Sequence, residues 1–168
     1  MTAASHAEDW AQAQGNSRDN KSTETGLLGA WPEDGPELSW IFRDCGVGYT
    51  GPAIIGDRLY IMGGRDGRAE LMALDVNSGK LLWSKRVNAK VCYFEGNSWG
   101  AGPGATPTVA NGVIYALAGD SELVAMDTSG EFKWRVKMMD DLGGSRSIVD
   151  TGEPEVYGWG FCSWVTTS

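Results

Sequence analysis

The sequence is poor in the residues that bind metals or cross-link a chain. Among its 168 residues there is one histidine, His6, and there are three cysteines, Cys45, Cys92 and Cys162. No two cysteines are adjacent and no Cys-x-x-Cys pair occurs, so a structural zinc site would have almost no ligands. Three widely spaced cysteines allow at most one disulfide within the chain. Unpaired thiols are therefore favoured, and a single disulfide is the alternative.

Long apolar runs and clusters of positive charge are also missing. No apolar run approaches the roughly 18 residues that a membrane-spanning helix requires, which argues against direct insertion into a membrane. The formal net charge is −8, and acidic and basic residues are mixed along the chain. Nucleic acid is not an expected partner, because no cluster of lysine and arginine could neutralise a phosphate backbone.

Glycine and tryptophan, by contrast, are abundant. The chain contains 24 glycines and eight tryptophans, and glycine-rich turns beside β-forming residues are typical of many short strands. A segment with Ala, Asp, Gly and Trp at nearly fixed spacing occurs twice, and a recurrence at about fifty residues indicates a repeat architecture. Its marker residues are Ala73, Asp75, Gly79 and Trp83 in the first copy, and Ala125, Asp127, Gly130 and Trp134 in the second, which is one residue shorter.

Each repeat is predicted to contain four short antiparallel strands. The predicted strands are 52–55, 58–62, 71–76 and 81–87 in the first repeat, and 107–109, 113–117, 123–127 and 132–136 in the second. Residues 71–74 and 123–126 are apolar throughout, as expected in a β-propeller, where each sheet packs on both neighbours. A flat β-sandwich, the alternative, would alternate apolar and polar positions. The predicted fold class is therefore all-β, a β-propeller of four-stranded antiparallel blades.

The predicted organisation has three parts. Residues 1–9 are a leader or the remnant of a signal peptide, because Ser5-His6-Ala7 fits the small-x-small rule for cleavage but no apolar core precedes it. Residues 10–37 are an irregular N-terminal extension, pinned by two or three apolar anchors among Trp10, Leu27, Leu28 and Trp31. Residues 38–168 are a partial propeller with blades at about 51–87 and 105–138.

Two pieces of further blades are also predicted. Residues 38–42 are expected to form a closing strand, and a partial blade begins at about 157, where Gly158-Trp-Gly160-Phe161 repeats the spacing of Gly46-Val-Gly48-Tyr49. Propellers close with four to eight blades. The chain is therefore expected to be an N-terminal fragment of a longer extracytoplasmic protein, periplasmic or secreted, with a truncated signal peptide.

Strand direction places the longer connections at one end of the sheets, which we call the upper face. The predicted connections there are the loops 63–70 and 118–122 and the interblade segments 43–51, 88–106 and 137–162. Long loops on a rigid scaffold commonly carry binding residues. The candidate binding residues on this face are Tyr49, Arg65, Tyr93, Trp99, Arg146, Tyr157 and Trp159.

The repeated segment resembles the tryptophan-docking motif of the PQQ-like β-propeller repeat family, Ala-x-Asp-x-x-Thr/Ser-Gly-x-x-x-Trp. Residues 73–83 match this motif in full, and residues 125–134 match it with one deletion. The opening segment from Trp10 to Pro32 is similar to that of extracytoplasmic members, and the resemblance covers residues 10–162. It implies that the eight marker residues are structural, with each tryptophan packed across an interface between blades and bonded to a neighbouring carbonyl group.

The resemblance implies two kinds of function. Quinoprotein dehydrogenases of this family oxidise alcohols or sugars with PQQ and a metal ion, and the alcohol-oxidising members carry an adjacent cysteine pair that this chain lacks. Other members resemble the propeller lipoprotein of outer-membrane β-barrel assembly, a scaffold without catalytic activity, although no lipobox cysteine is visible here. We therefore predict a non-catalytic scaffold that binds a protein or glycan through the upper face. A PQQ-dependent dehydrogenase fragment is the alternative, and PQQ is implied by the family resemblance alone.

Other signatures fit the sequence less well. A kelch propeller would repeat the doublet Gly63-Gly64, but the second copy has Ala118-Gly119 there, and a WD40 propeller would contain a Trp-Asp dipeptide, which does not occur. The run from Gly100 to Gly104 lacks the Gly-Lys-Ser/Thr of a phosphate-binding loop. Acidic pairs such as Asp140-Asp141 are expected to be solvated rather than to bind a cation.

Overall fold

The computed structural model describes residues 8–88, 102–144 and 165, and these residues form two β-sheets and one short helix. The first sheet contains β1 (Ala53–Ile55), β2 (Arg58–Arg65), β3 (Arg68–Asp75) and β4 (Leu81–Arg86). The second contains β5 (Thr108–Ala110), β6 (Val113–Leu117), β7 (Glu122–Asp127) and β8 (Phe132–Lys137), and α1 (Met138–Leu142) follows it. Both sheets are antiparallel and have their strands in sequence order. The chain is an all-β partial propeller whose described sheets are two blades.

The two blades share the same strand register. Ala53 is paired with Tyr60 in the first blade, and Thr108 is paired with Tyr115 in the second. The marker residues also coincide, since Ala73 faces Trp83 and Ala125 faces Trp134. A register shift follows Ala73 and another follows Ala125. The predicted repeat is therefore confirmed at the level of individual strand pairs.

The third strand of each blade is buried on both faces. Residues 71–74 of β3 are essentially inaccessible to solvent, and so are residues 124–126 of β7. The core cluster draws on both sheets, with Tyr60 and Leu71 from the first and Ile114 and Met126 from the second. This two-sided burial confirms the propeller prediction over a flat sandwich, which would leave one face of each sheet in water.

Most of the predicted turns are confirmed, but the loop at 63–70 is not. Gly56 and Asp57 separate β1 from β2, and Asn111 and Gly112 separate β5 from β6, as the two-residue hairpin signals indicate. The loop prediction at 63–70 is wrong, because β2 continues to Arg65 and the turn contains only Asp66 and Gly67. The glycines that suggested a loop allow a close approach instead, since a Cβ at Gly63 would collide with the carbonyl oxygen of Cys45.

Two predictions about the N-terminal region are also wrong. Residues 38–42 form no strand, because no described strand lies beside them to pair with, and Leu38 and Ile41 are exposed. Two or three apolar anchors were predicted, but of the four candidate residues only Trp10 forms a bridge with a strand, at Ile54. Leu27, Leu28 and Trp31 are each 71% exposed.

The two blades are joined by polar contacts as well as by the core. Near the upper face, the Asn88 side chain accepts a hydrogen bond from the Ala69 amide (2.8 Å) and donates one to Asp120 (2.9 Å). At the opposite end, which we call the lower face, Arg58 Nη1 donates to the Thr128 carbonyl (3.1 Å). These contacts bridge adjacent sheets, so each blade supports the orientation of the other.

Candidate functional site

The aspartate of each repeat organises the turn that follows it. In the first Asp turn (residues 75–80), Asp75 Oδ1 accepts hydrogen bonds from the Ser78 amide (2.8 Å) and the Ser78 hydroxyl (2.7 Å). The Gly79 amide donates to the Asp75 carbonyl (2.8 Å). These donors hold the pKa of Asp75 below its usual range, the Ser78 hydroxyl most strongly. The carboxylate is therefore ionised at neutral pH and acts as a fixed acceptor.

The second Asp turn (residues 127–131) repeats this arrangement with one residue fewer. Asp127 Oδ1 accepts from the Ser129 hydroxyl (2.6 Å), the Ser129 amide (2.9 Å) and the Glu131 amide (3.1 Å). The same donors, led by the Ser129 hydroxyl, lower the pKa of Asp127. The deletion is therefore absorbed within the turn, while the aspartate keeps its function as acceptor.

A tryptophan from the preceding part of the chain packs on each Asp turn. Trp40 Nε1 donates to the Val76 carbonyl (2.7 Å), and its ring lies against Gly79 so closely that a Cβ there would collide with it. Trp83 Nε1 donates to the Thr128 carbonyl (3.2 Å), and a Cβ at Gly130 would lie 3.0 Å from its ring. The same contact thus occurs twice, although Trp40 lies outside any strand.

Trp134 occupies the matching position in the second blade, and no Asp turn of the described residues packs on it. Its ring lies 6.0 Å from that of Tyr115, just as Trp83 lies 6.1 Å from Tyr60. Trp134 is 44% exposed, however, and Phe132 on the same strand is equally exposed. Among residues 8–88 and 102–144 no carbonyl accepts a hydrogen bond from its indole N–H. The structure therefore shows three equivalent tryptophans, of which two are packed on an Asp turn.

Two of the seven candidate binding residues lie in the described part of the chain. Val47 forms a bridge with Gly64 near the upper end of β2, and the Tyr49 amide donates to the Pro103 carbonyl (2.9 Å). This places Tyr49, which is 49% exposed, beside the upper half of the first blade. Arg65 ends β2 at the upper face. The other five candidates, Tyr93, Trp99, Arg146, Tyr157 and Trp159, lie outside the described residues.

An open polar groove lies next to these residues. It has a volume of about 350 Å³ and is lined by Arg43, Asp44, Gly46, Gly64, Arg65 and Asp66. Cys45 lies beside it, and partial burial raises the pKa of its thiol, although the Arg65 guanidinium opposes the rise. A thiol with a raised pKa stays protonated at neutral pH, so Cys45 is not set up as a nucleophile. Cys92 and Cys162 lie outside the described residues.

A repeated carboxylate that is largely shielded from solvent is a feature that the sequence predictions missed. Glu70 at the upper part of β3 lies 3.3 Å from Arg65 Nη1 and accepts a hydrogen bond from Ser84 (2.6 Å). Glu122 occupies the corresponding end of β7, and its carboxylate lies 3.9 Å from Arg135 and 4.0 Å from Lys137. Each glutamate stands five positions before the marker aspartate. That constant offset is the signal that could have identified the pair.

The described residues do not supply a recognisable metal or cofactor site. Within residues 8–88 and 102–144, no three His, Cys, Asp or Glu side chains are grouped as metal ligands would be. The metal ion that quinoprotein dehydrogenases use with PQQ thus finds no matching donor set in this part of the chain. None of the described helical segments is long and apolar enough to cross a membrane.

Comparison with protein families gives a match over most of the chain. The family model described as outer membrane protein assembly factor BamB matches residues 8–158. The outer membrane protein assembly factor BamB of Salmonella typhimurium is 34% identical over 94 residues, which cover 55% of this chain and 22% of that protein. The BamB of Yersinia pestis is 29% identical over 138 residues, which cover 77% of this chain and 33% of that protein. The chain therefore spans a third or less of the length of these relatives.

Solved structures with a similar arrangement include both a BamB protein and an enzyme. BamB from Moraxella catarrhalis matches with a TM-score of 0.44 and 22% identity, over 67% of this chain and 31% of that one. A europium-containing methanol dehydrogenase matches with a TM-score of 0.44 and 19% identity, over 60% of this chain and 18% of that one.

Proposed function

We propose that this chain, which belongs to the outer membrane protein assembly factor BamB family, is part of a non-catalytic propeller scaffold that binds a protein partner outside the cytoplasm. The family match over residues 8–158 is the observation that carries the proposal. The relatives from Salmonella typhimurium and Yersinia pestis are named for outer membrane protein assembly. We place the whole protein in the same process, at the periplasmic side of the outer membrane.

We assign a structural role to the repeated marker residues rather than a role in binding. The contacts of Trp40 and Trp83 with the Asp turns support this assignment, because each tryptophan joins an Asp turn to a preceding part of the chain. Tryptophan offers a large apolar face and one N–H donor that needs an acceptor when buried. In this proposal the tryptophan-docking motif keeps adjacent blades rigid, which a scaffold requires.

A third repeat is proposed from about residue 157. Val165 is the one described residue in that region, and its carbonyl accepts a hydrogen bond from the Thr108 hydroxyl (2.7 Å) on β5. The spacing of Gly158 and Gly160 aligns Val165 with Ala53, the first residue of β1. This contact beside β5 supports a new innermost strand at that position.

The partner is proposed to bind the upper face around Tyr49, Arg65 and the adjoining groove. Tyrosine and arginine are frequent among residues that dominate binding energy in protein interfaces. Tyr49 is half exposed although its backbone is held by Pro103, so the ring is presented from a fixed position. Tyr93, Trp99, Arg146, Tyr157 and Trp159 are proposed members of the same face. A protein partner is favoured by the family, and a glycan is the alternative.

A binding measurement with two matched variants tests this proposal. We expect Tyr49→Ala to weaken binding of the full-length protein to the purified outer membrane protein assembly machinery of its own organism by roughly tenfold. Leu82→Ala is the control, because Leu82 is 43% exposed but lies on the outer strand β4. Equal effects of the two substitutions, or no binding by the unchanged protein, would refute the proposed face.

Titration with PQQ separates the scaffold from the enzyme. We expect the full-length protein to bind no PQQ at micromolar concentration with calcium present, and to show no dye-linked oxidation of alcohols or sugars. Saturable binding together with turnover would establish the alternative function, a quinoprotein dehydrogenase. This measurement does not depend on the upper-face variants, so the two tests fail independently.

A further inference from the structure

The segment Asp9–Ala11 lies along the inner edges of both blades. The Trp10 amide donates to the Ile54 carbonyl, and the Ile54 amide donates to the Trp10 carbonyl, both at 2.8 Å. The Ala11 carbonyl then accepts a hydrogen bond from the Val109 amide (2.8 Å) on β5. Two residues outside the sheets, Trp10 and Ala11, therefore bond to the free edge of β1 and to the first strand of the second blade.

Side-chain contacts hold this segment in place. Asp9 Oδ1 accepts a hydrogen bond from the Gly56 amide (2.7 Å) in the turn between β1 and β2. Asn16 closes the segment from the other side, because its Nδ2 donates to the Asp9 carbonyl (2.7 Å) and its Oδ1 accepts from the Ala11 amide (3.2 Å). The Trp10 ring covers Gly15, where a Cβ would lie 2.8 Å from it.

We call residues 8–24 the N-terminal strap. Glu8, at one end of the strap, is hydrogen-bonded to Thr23 near the other end. Its Oε2 accepts hydrogen bonds from the Thr23 hydroxyl (2.6 Å) and the Thr23 amide (3.2 Å). These two donors hold the pKa of Glu8 below its usual range. Most of the strap is exposed, and the residues that contact the sheets are at its start.

The inner and outer edges of the blades are protected in different ways. An edge strand offers unpaired backbone groups to other chains, and natural proteins commonly guard such strands with charged side chains. The outer strands follow this rule, with Lys85 and Arg86 on β4 and with Lys133, Arg135 and Lys137 on β8. The inner strands, Ala53–Ile55 and Thr108–Ala110, contain no charged residue.

We propose that the inner edges of β1 and β5 form a strand-addition site, and that the segment Asp9–Ala11 of the same chain is its occupant. The site fits an extended peptide in which a carboxylate precedes a large apolar residue and a small residue follows. The carboxylate binds the Gly56 amide, the apolar residue bonds Ile54 through its backbone, and the third carbonyl binds the Val109 amide. Strand addition is an established mode of peptide recognition.

Hydrogen exchange on the full chain tests this site. We expect Trp10→Ala to raise the exchange rates of the Ile54 and Val109 amides by roughly tenfold or more. The amides of Leu74 and Met126, in the middle of each core, should keep their rates. Leu28→Ala is the matched control, because Leu28 belongs to the same N-terminal region but is exposed, and it should change none of these rates.

A peptide added in trans distinguishes a binding site from general support of the fold. A synthetic peptide of residues 8–24 should restore the protection of Ile54 and Val109 in the Trp10→Ala variant, whereas a peptide of the same composition in scrambled order should not. Unchanged exchange in Trp10→Ala would overturn the proposal, and so would a rise that spreads evenly to Leu74 and Met126.

A second variant applies if Trp10→Ala does not fold. Asp9→Ala removes only the side-chain acceptor of the Gly56 amide. We expect it to raise exchange at Gly56 and Ile54 and to leave the core amides unchanged. Exchange at Gly56 that equals that of the unchanged protein would contradict the proposed role of the carboxylate.

Discussion

The outer strands of the two blades have the same register and a similar sequence, but they lie in different surroundings. Trp83 on β4 and Trp134 on β8 each face an alanine of the third strand and each lie about 6 Å from a tyrosine ring. Trp83 packs on the second Asp turn, whereas Trp134 is 44% exposed. The blade to which a tryptophan belongs therefore does not determine its burial. Its burial depends on whether the Asp turn of another repeat packs on it.

This difference separates the contacts that form within one repeat from the contacts that require two repeats. The Asp turn, the strand pairs and the tyrosine contact form within a single blade. The indole hydrogen bond and the packing on glycine require the following repeat, as for Trp40 on Gly79 and Trp83 on Gly130. In repeat proteins, stability is approximately a sum of such internal and interface terms. The two tryptophans should therefore differ mainly in the interface term.

The largest expected effect is the difference between Trp83→Ala and Trp134→Ala. Removing Trp83 takes away packing between the blades and one indole hydrogen bond, so we expect a loss of about 2–4 kcal/mol in the free energy of unfolding. Removing Trp134 should cost less than about 1 kcal/mol, because its side chain is already exposed. Urea unfolding of the full chain, followed by far-UV circular dichroism, measures both.

Tyr60→Phe is a useful companion to these two variants. It retains the ring beside Trp83 and removes only the hydroxyl group, so it separates the contribution of the hydroxyl group from that of the ring contact. Equal losses for Trp83→Ala and Trp134→Ala would contradict the comparison. They would mean that the contact with the next Asp turn adds nothing beyond the contact within the blade.

A glycine substitution sharpens the same comparison with a smaller effect. Gly130 and Gly112 both have positive φ, 85° and 72°. A Cβ at Gly130 would lie 3.0 Å from the Trp83 ring, whereas nothing lies within 4 Å of one at Gly112. We expect Gly112→Ala to cost about 1 kcal/mol from backbone strain alone, and Gly130→Ala about 2 kcal/mol, measured by urea unfolding.

The double variant Trp83→Ala/Gly130→Ala identifies the source of the extra cost. If the added methyl group acts against the indole ring, its cost should fall to that of Gly112→Ala once the ring is absent. Residues in contact generally show such non-additive effects. Strictly additive losses would show instead that Gly130 is sensitive for a reason unrelated to Trp83.

The sequence was a reliable guide wherever a feature depends on neighbouring residues. The turns at Gly56 and Asn111 and the recurring Asp turns follow from local chemistry, so their positions could be predicted. Gly63 and Gly64 were misleading because these glycines leave room for residues 45–47, a segment that is distant in sequence and lies against β2. Local patterns contain no information about such an approach.

The candidate site shows the same limit. Tyr49 and Arg65 could be assigned to the upper face from strand direction alone. The apolar residues Leu27, Leu28 and Trp31 were expected to be anchors, but burial depends on which surfaces meet, and only Trp10 reaches the sheets. Glu70 and Glu122 were readable as a repeated pair, since their offset from Asp75 and Asp127 is constant. The cations that surround them depend on strand pairing.

The smallest effect concerns the part of the repeat that both blades share, the Asp turn. Hydrogen bonds lower the pKa of Asp75 and Asp127 in the folded protein. A carboxylate with a lowered pKa stabilises the folded state fully above its unfolded pKa of about 3.9, and this contribution is lost as the pH falls through the folded value. Asp75→Asn and Asp127→Asn should therefore be less stable than the unchanged chain at pH 7, and the difference should shrink below about pH 4.

The serine that donates to each aspartate provides the matched control for this pH dependence. Ser78→Ala and Ser129→Ala remove the hydroxyl donor that lowers the aspartate pKa most, so each should weaken the acid dependence without abolishing it. The urea midpoint, measured from pH 7 to pH 2.5, reports all four variants. Because the two turns hold their carboxylates alike, the first and second repeats should respond alike. A pH dependence confined to one turn would contradict the view that the shared hydrogen bonds set the behaviour of both carboxylates.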